Sequence, residues 1–420
     1  MSTVSSGVVP DFRKTLVIAI VGLLPILMAI LPWDLTQPLS TYSSAIRGYS
    51  FHVSVFHIAI LSIALGLGLS IFGEWRALPK YSRWAIYGLL FLSLWTSLYV
   101  APIKYKAVIA ILQTILLLFF YLAFRFMVRT HGSNFVLRCW IALGLGVLLY
   151  LALWAVTLTI RWPPEKEWGD VAVPGMANVR SVGYFSMAAF CSGIALIIGT
   201  RNSGRLALAM VLLTAGGWGS ALWTGSRGAF VAMLATALLA IALAYGDRRR
   251  LAATIFVSLL AAILFVYPLP YGSPNYGLDN FLLSEQGGDV NSISSGRTAI
   301  WAATWELIKT RPLFGIGLDQ FQLNGPAISR GLKQPHNWPL QILFSVGFVG
   351  LTMVIAALVP LVSWNRKVLL ARQNIASVAC LGGLMVYASY DAAGYYLFPL
   401  TLAAMALASL QPPPAPDRSD

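Results

Sequence analysis

The sequence predicts an all-α polytopic membrane protein, and three of its features support that fold class. Of the 420 residues, 58% are hydrophobic and only 10% are charged. Soluble domains carry roughly 25% charged residues, so this chain has too few charges to cover a surface that faces water. The mean hydropathy of +0.74 has the same meaning. The apolar residues also fall in runs of about 20, the length that crosses the hydrocarbon layer as a helix.

Twelve such runs are expected to be transmembrane helices. The chain then divides into helices one to nine in residues 1–270, an extracytoplasmic loop domain with short amphipathic helices in 271–337, helices ten to twelve in 338–411, and a disordered tail in 412–420. The expected spans are 15–33, 51–73, 82–101, 105–128, 135–160, 182–199, 205–223, 227–245, 251–269, 338–362, 375–391 and 395–411.

Charge predicts the orientation, with both termini in the cytoplasm. In that arrangement 17 of the 29 Lys and Arg residues lie inside, as the positive-inside rule requires. Ten of the 15 acidic residues lie outside, so the inside carries a net +12 and the outside +2. The basic balance of the chain is therefore mostly a topology signal, and nucleic-acid binding is not indicated.

Disulfide and metal chemistry have little support in the sequence. The three cysteines, Cys139, Cys191 and Cys380, all fall within apolar spans, where a thiol behaves as a small hydrophobic group. No second histidine stands at ligand spacing, and no outside Asp-x-Asp pair of the kind that binds Mg²⁺ and pyrophosphate is present. A bound pyrophosphate would have to be neutralised by arginines.

His336 is the leading catalytic candidate, because it lies where the long polar loop re-enters an apolar span. Pro339 suits the first turn of a helix, which puts His336 at or just before a helix N-terminus. The positive end of the helix dipole disfavours an imidazolium, so a neutral ring that can act as a base is expected. The alternative is a buried histidine whose ring is satisfied by a loop carbonyl.

Three arginines on the same side are candidates for binding an anion. Arg227 opposes the positive-inside bias and stands between Gly225 and Gly228 at a predicted helix N-terminus, where backbone N–H groups favour anions. Its planar guanidinium can bind phosphate oxygens through two hydrogen bonds. Arg297 begins a helical pattern in the loop, and Arg180 directly precedes a span. The alternative for each is an arginine that anchors a helix end to lipid headgroups.

Two further features concern the surroundings of these residues. Trp301, Trp305 and Ile308 recur at helical spacing after Arg297, which predicts an amphipathic helix near the membrane surface. Asp391 ends the eleventh span and could orient His336 or an arginine. A purely structural acid at a helix end is the alternative.

At these residues the chain resembles the O-antigen ligase superfamily. His336-Asn337, followed after nine residues by Gly347-x-x-Gly350, resembles the signature of that family. The turn Gly-Ser-Arg-Gly-Ala at 225–229 resembles a second element. Ser-Gly-Arg at 295–297 with Trp301, then Pro-Leu-Phe-Gly-Ile-Gly at 312–317, resembles a third. With the twelve-span layout, the likeness covers most of the chain.

The resemblance implies glycan transfer from undecaprenyl pyrophosphate at the periplasmic face of the bacterial inner membrane, with no metal or cofactor. An O-antigen ligase would deliver the glycan to a sugar hydroxyl of lipid A-core. The +2 outside charge suits an anionic phosphorylated core and favours this reaction. O-antigen polymerase and protein O-oligosaccharyltransferase, which would use the same donor, remain alternatives.

Each candidate residue has an expected role in this reaction. His336 would take the proton of the incoming hydroxyl. Guanidinium groups would stabilise the charge that develops on the pyrophosphate leaving group, with Arg227 and Arg297 as leading ligands and Arg180 as a third. Asn337 and Asp391 are candidates for supporting roles. Gly347 and Gly350 are expected to let their helix pack closely against a neighbour.

A transporter or flippase for a lipid-linked glycan is the non-enzymatic alternative. Transporters often show repeated halves and charges in the middle of their spans. Here the central portions of the spans are almost free of charge, and the two halves show no repeat. The unusual residues cluster on one face, as a membrane-embedded enzyme requires.

Overall fold

The computed structural model describes residues 12–30, 70–161, 181–200, 206–269, 277–278, 281, 296–329, 332, 334–362 and 366–410. Within these ranges the chain forms helices and turns and contains no strand, which confirms the all-helical fold class. Most of the expected span 51–73, the candidate Arg180 and the tail 412–420 lie outside the described residues.

The helices are numbered in chain order. They are α1 (Phe12–Ile30), α2 (Ser70–Ala77), α3 (Lys80–Trp95), α4 (Lys104–Arg161), α5 (Val182–Gly199), α6 (Ala207–Trp223), α7 (Arg227–Leu243), α8 (Arg248–Val266), α9 (Arg297–Thr310), α10 (Phe321–Asn324), α11 (Trp338–Leu358), α12 (Arg366–Leu369), α13 (Ile375–Tyr390) and α14 (Leu397–Ala408).

Among the described residues, four segments are long and apolar enough to cross a membrane by length and composition: Lys104–Val156, Val182–Gly199, Arg248–Val266 and Trp338–Leu361. The helices α6, α7 and α14 are apolar but shorter. The count of twelve spans, the division into domains and the side on which the loop lies stay predictions.

The long helix α4 is interrupted at Gly132. This residue has a φ of 69° and leaves helical geometry within an otherwise continuous run. The interruption falls between the expected spans 105–128 and 135–160, in a stretch with polar residues that the sequence predicts to be a turn. Glycine suits the position because it adopts positive φ without a Cβ penalty.

Helix α5 is the centre of the main bundle, which comprises α4, α5, α6, α7 and α13. Every side chain from Val182 to Ile198 is buried, and α5 packs against the other four helices. Small residues allow the close approach: a Cβ on Gly217 of α6 would lie 2.7 Å from the Ser186 carbonyl oxygen. Tight packing through small residues is the usual way in which apolar helices associate in a membrane.

A second group of helices, here called the outer cluster, consists of α3, α9 and α11. Leu92 of α3 packs against Ile342 and Val346 of α11. On another side, Ile300 and Ile308 of α9 pack with residues of α10 and α11. The helix that follows His336 therefore belongs to the outer cluster, and its junction with the main bundle is where the candidate residues gather.

Helix α9 is amphipathic, as the sequence predicts, and its position near the membrane surface stays a prediction. Ile300, Thr304 and Ile308 are buried, whereas Trp305 is 40% exposed and contacts the ring of Phe348 edge-on. The indole of Trp301 lies between these faces. Its Nε1–H donates to the Pro335 carbonyl across 2.9 Å, so α9 fixes the backbone just before His336.

Helix α11 is broken at Gly347, which has φ 66° and ψ −169°. The segment 312–317 lies against the break and accepts or donates four backbone hydrogen bonds. Ile316 and Gly317 donate to the carbonyls of Phe344 and Ser345, and the N–H groups of Phe348 and Val349 donate to the carbonyls of Pro312 and Leu313, over 2.8 to 3.1 Å. Backbone groups freed inside an apolar span are thereby satisfied, as a nonpolar environment requires.

The two glycines of the motif thus have different roles. A Cβ on Gly347 would overlap the Leu313 carbonyl and lie 2.5 Å from the Phe314 nitrogen, so this glycine permits the contact between the loop and the break. A Cβ on Gly350 would overlap the Val346 side chain of its own helix and lie 3.5 Å from Leu92 of α3. The expected close approach of a neighbour is therefore found at Gly347, where the neighbour is the backbone of residues 313–314, and Gly347 also ends a helical segment.

Candidate active site

The sequence-predicted residues meet where the outer cluster contacts the main bundle. The outer cluster contributes Arg297, at the start of α9, and His336 with Asn337, directly before α11. The main bundle contributes Asp391, directly after α13. Arg227 begins the neighbouring helix α7, and Arg180 lies outside the described residues.

Asp391 is the centre of this group, and its two carboxylate oxygens have different partners. Arg297 Nη2 lies 3.3 Å from Oδ2, and the hydroxyl of Tyr184 donates to Oδ1 across 3.0 Å. The Asp391 side chain is 15% exposed, so the carboxylate is largely withdrawn from bulk solvent. A buried charge of this kind is tolerated when it is paired and hydrogen-bonded, as it is here.

Arg297 also binds the end of α13. Its Nη1 donates to the Tyr390 carbonyl across 2.6 Å, while Nη2 contacts Asp391. The last carbonyls of a helix lack partners within the helix and carry partial negative charge, so a guanidinium is favourable there. Gly296, with φ 77°, turns the chain into α9 and brings Arg297 to this point.

His336 adopts the left-handed backbone region with φ 56°, which is rare for a residue with a Cβ. Its ring is 26% exposed, and Nδ1 lies 4.0 Å from Asp391 Oδ1. The same Nδ1 lies 3.2 Å from Nε2 of Gln334, whose Oε1 accepts from the His336 backbone N–H. Strain of this kind persists only where the surroundings fix the conformation, and here Gln334 and Trp301 do so.

Asn337 is the N-cap of α11, so the helix begins where Pro339 predicted it. The Asn337 Oδ1 accepts from the Leu340 N–H across 3.0 Å, and Nδ2 donates to the Ser389 carbonyl across 2.8 Å. One amide group therefore caps the helix that follows His336 and joins it to the last turn of α13.

Arg227 is near the group but is not joined to it by a hydrogen bond. The carbonyl of Gly228, the next residue, accepts from the Tyr390 hydroxyl across 2.8 Å, and a Cβ on Gly228 would lie 3.3 Å from Asp391 Oδ2. The start of α7 thus abuts the carboxylate. Arg227 is half-buried, and its side chain makes no ion pair or hydrogen bond with another residue of the described part of the chain, although its backbone N–H donates to the Gly225 carbonyl across 2.9 Å.

Two residues of the site, Tyr184 and Gln334, were not predicted from the sequence. Tyr184 lies inside an apolar span, where a tyrosine is ordinarily read as packing, and only the fold brings it to Asp391. Gln334 is 3% exposed and stands two positions before His336. Its proximity to the histidine was visible, but its contact with the ring depends on the turn at His336.

The group holds a carboxylate that pairs with a guanidinium and lies 4.0 Å from an imidazole, and the helix that begins with Arg227 abuts the same carboxylate. Such a set can accept a proton, orient the ring that accepts it and bind an anion. Among the described residues, no three His, Cys, Asp or Glu side chains cluster in a way that could hold a metal ion. A reaction without a metal stays a prediction.

The model of a protein family described as O-Antigen ligase matches residues 208–355. No curated protein matches the chain. The matched segment runs from α6 into α11 and contains Arg227, Arg297, His336 and Asn337. Tyr184 and Asp391 lie outside it, although both contact the group.

Proposed function

Because the chain belongs to the O-antigen ligase superfamily, a family of glycosyltransferase-like membrane enzymes, we propose that it is an O-antigen ligase. It transfers a polysaccharide from undecaprenyl pyrophosphate to a sugar hydroxyl of lipid A-core. The protein lies in the bacterial inner membrane with both termini in the cytoplasm, and residues 271–337 form a periplasmic loop domain between the ninth and tenth spans.

The observation that carries this proposal is the position of the Asp391 carboxylate. It lies 4.0 Å from the His336 ring, pairs with Arg297 and receives a hydrogen bond from Tyr184. A carboxylate beside an imidazole orients the ring and stabilises the imidazolium that forms when the ring accepts a proton. This arrangement supports a histidine that acts as a base over one that only forms a hydrogen bond with a loop carbonyl.

The proposed chemistry is a direct displacement. The acceptor hydroxyl oxygen attacks the anomeric carbon of the glycan while the bond from that carbon to the pyrophosphate oxygen breaks. The hydroxyl proton passes to Nε2 of His336, and the bonding electrons leave with undecaprenyl pyrophosphate. A single displacement inverts the anomeric centre.

Arginines stabilise the leaving group in this proposal. The Arg227 side chain makes no ion pair or hydrogen bond with the described residues and stands at the N-terminus of α7, where N–H groups and a guanidinium attract a phosphate together. Arg297 already contacts Asp391 and the Tyr390 carbonyl, so it would bind the anion from the other side while keeping the carboxylate in place. Arg180 is a third candidate.

Asn337 has the proposed role of holding the catalytic histidine. Its amide caps α11 and reaches the Ser389 carbonyl, so it fixes the distance between the His336 turn and the end of α13. A base must lie within hydrogen-bond reach of the proton that it takes, and a shift of one ångström is costly.

The deciding experiment supplies purified protein in vesicles with a lipid-pyrophosphate glycan and one of three acceptors. Lipid A-core, a second lipid-linked repeat and a pilin-like protein represent ligase, polymerase and protein O-oligosaccharyltransferase. Consumption of lipid A-core is the expected result, and consumption of another acceptor instead would replace the ligase assignment. Movement of the intact donor across the vesicle membrane with no transfer would indicate a flippase.

Variants and chelation test the site within the same assay. His336→Ala is expected to abolish transfer, whereas His131→Ala, in α4, is the matched control and keeps it. Retained turnover in a folded His336→Ala protein would remove the base assignment. Activity is expected to persist in EDTA. A loss of activity in EDTA that is reversed by added Mg²⁺ would contradict the proposal that arginines alone neutralise the pyrophosphate.

A further inference from the structure

Gln334 makes two contacts with His336 that the sequence did not assign. The residue is 3% exposed, and its whole amide group faces the histidine two positions along the chain. Oε1 accepts from the His336 backbone N–H, and Nε2 lies 3.2 Å from the ring Nδ1. Both contacts are possible because His336 turns into the left-handed region.

These contacts fix the orientation of the amide. A backbone N–H can only donate, so the atom that faces it must be the amide oxygen. The amide nitrogen then faces the ring, and an NH₂ group can only donate. Nδ1 is therefore the acceptor in this contact, and in the neutral ring the proton resides on Nε2.

A ring in this tautomer cannot act as a base through Nε2, because that nitrogen already carries a proton. It also makes no hydrogen bond with Asp391: the 4.0 Å from Nδ1 to Oδ1 is too long, and neither atom carries a proton. The charged and titratable groups around the ring are Asp391, Arg297, which pairs with Asp391, and Tyr184, which donates to Oδ1. Asp391 can accept a hydrogen bond from Nδ1 only after the ring proton has moved from Nε2 to Nδ1.

We propose that Gln334 is a positioning residue that keeps His336 in the Nε2–H tautomer while no donor is bound. For catalysis, the hydrogen-bond partner of Nδ1 must change from Gln334 to Asp391. The ring proton then lies on Nδ1, and the lone pair of Nε2 is free to accept the hydroxyl proton. No proton is gained or lost in this step, since one ring nitrogen gains what the other gives up. The inference rests on the proposed role of His336 as the base.

The first test reads the tautomer directly. The chain has four histidines, so the full protein with ¹⁵N-labelled histidine in nanodiscs gives few ring signals, and His336→Gln identifies those of His336. At a pH where the ring is neutral, the wild type is expected to show a bare Nδ1 and a protonated Nε2. A wild-type ring with its proton on Nδ1 would overturn the proposal.

Two substitutions test whether Gln334 causes this state. Gln334→Glu keeps an oxygen for the backbone N–H but replaces the amide donor by an acceptor, so the proton is expected on Nδ1. Gln334→Leu removes both contacts and is expected to give a mixture. The control is Gln341→Leu, since Gln341 is a buried glutamine of α11 that donates to Ser345 instead. An unchanged tautomer in both Gln334 variants would show that another group sets it.

The second test uses transfer activity. Asp391→Asn removes the acceptor for Nδ1–H and is expected to lower kcat by at least about tenfold. In the Gln334→Glu background a second carboxylate can accept from Nδ1–H, so most of that loss is expected to be restored. No rescue would contradict the exchange between Gln334 and Asp391. The tautomer needs no turnover for its measurement, so failure of the base assignment in His336→Ala is distinguishable from failure of this inference.

Discussion

Arg297 and Asp391, 94 positions apart in the chain, form an ion pair across 3.3 Å that joins the outer cluster to the main bundle. The two charged groups of the pair have different neighbours. The guanidinium contacts the last carbonyl of α13 and is proposed to bind pyrophosphate, whereas the carboxylate lies beside the His336 ring. Substitutions of the two residues should therefore affect different kinetic constants.

Asp391→Asn should lower kcat by at least about tenfold, because the asparagine no longer stabilises an imidazolium. The KM for the donor should not rise, since the loss of a negative charge beside a pyrophosphate site does not weaken anion binding. Steady-state kinetics in vesicles measures both constants. Asp247→Asn removes a different Asp–Arg pair, with Arg372 at 3.1 Å, and should leave both unchanged. A raised donor KM with normal kcat would contradict the role of Asp391.

Arg297→Lys should reduce kcat/KM for the donor by about tenfold or more, because a charge-assisted hydrogen bond is worth roughly 1.5–3 kcal/mol and lysine lacks the planar fork. The lysine keeps the charge but cannot contact both Asp391 and the Tyr390 carbonyl with the same geometry. The measurement is the dependence of initial rate on donor concentration. Wild-type kinetics in a lysine variant would show that positive charge alone suffices.

Arg227→Ala should raise the donor KM or Kd, because it removes the guanidinium from the N-terminus of α7 and leaves the helix itself intact. Binding of a fluorescent lipid pyrophosphate to vesicles with the protein measures the effect. Arg249→Ala is the matched control: Arg249 is exposed at the start of α8, beyond the far end of α7, and about 25 Å of helix separates the two ends. Equal donor affinity in both variants would contradict the proposed role of Arg227 in binding the pyrophosphate.

Asn337→Ala and Asn337→Ser should separate the two functions of this side chain. Alanine loses both the cap and the bond to Ser389 and should lower the free energy of unfolding by about 1 kcal/mol from the cap alone. Serine also caps helices well, but its short side chain cannot donate to the Ser389 carbonyl at the same time. Asn337→Ser should therefore restore stability and leave kcat reduced. Thermal unfolding and kcat are compared for both. Full activity in the serine variant would remove the link to Ser389 from the mechanism.

Gly347→Ala should destabilise the protein by at least about 1–2 kcal/mol, the cost of a left-handed residue with a Cβ, with a further loss from overlap with Leu313. Thermal unfolding in detergent measures it. Gly219→Ala is the control, because a Cβ there would lie 3.6 Å from Val266, an ordinary contact. If both alanines behaved alike, the backbone contact at Gly347 would contribute little to stability.

Several parts of the site could be predicted from the sequence because they depend on local structure. Pro339 marked the start of α11, which placed His336 and Asn337 at its N-terminus, and the structure has Asn337 as the cap. The helix after Gly296 was expected from the spacing of its apolar residues, and α9 begins at Arg297. The residues that mark a helix end lie within a few positions of it, so helix ends can be recognised in the sequence.

The rest depends on contacts between distant segments. Gly347 in an apolar run has the pattern of a packing glycine, and only the segment 312–317, which pairs with it, makes the helix break there. Tyr184 looked like a residue of an ordinary span until the fold brought its hydroxyl to Asp391. The packing of α9 against α11, which buries Ile300 and Ile308, likewise depends on contacts between distant segments.

The break at Gly347 has a consequence for where an anion can settle. A helix in two pieces has two positive ends, and the second would begin at Phe348, within the apolar span. The carbonyls of Pro312 and Leu313 cover the N–H groups of Phe348 and Val349, so that inner pole is neutralised. Of the two N-termini of the broken helix in the described structure, the outer one beside His336 is therefore the one left to attract a charged headgroup.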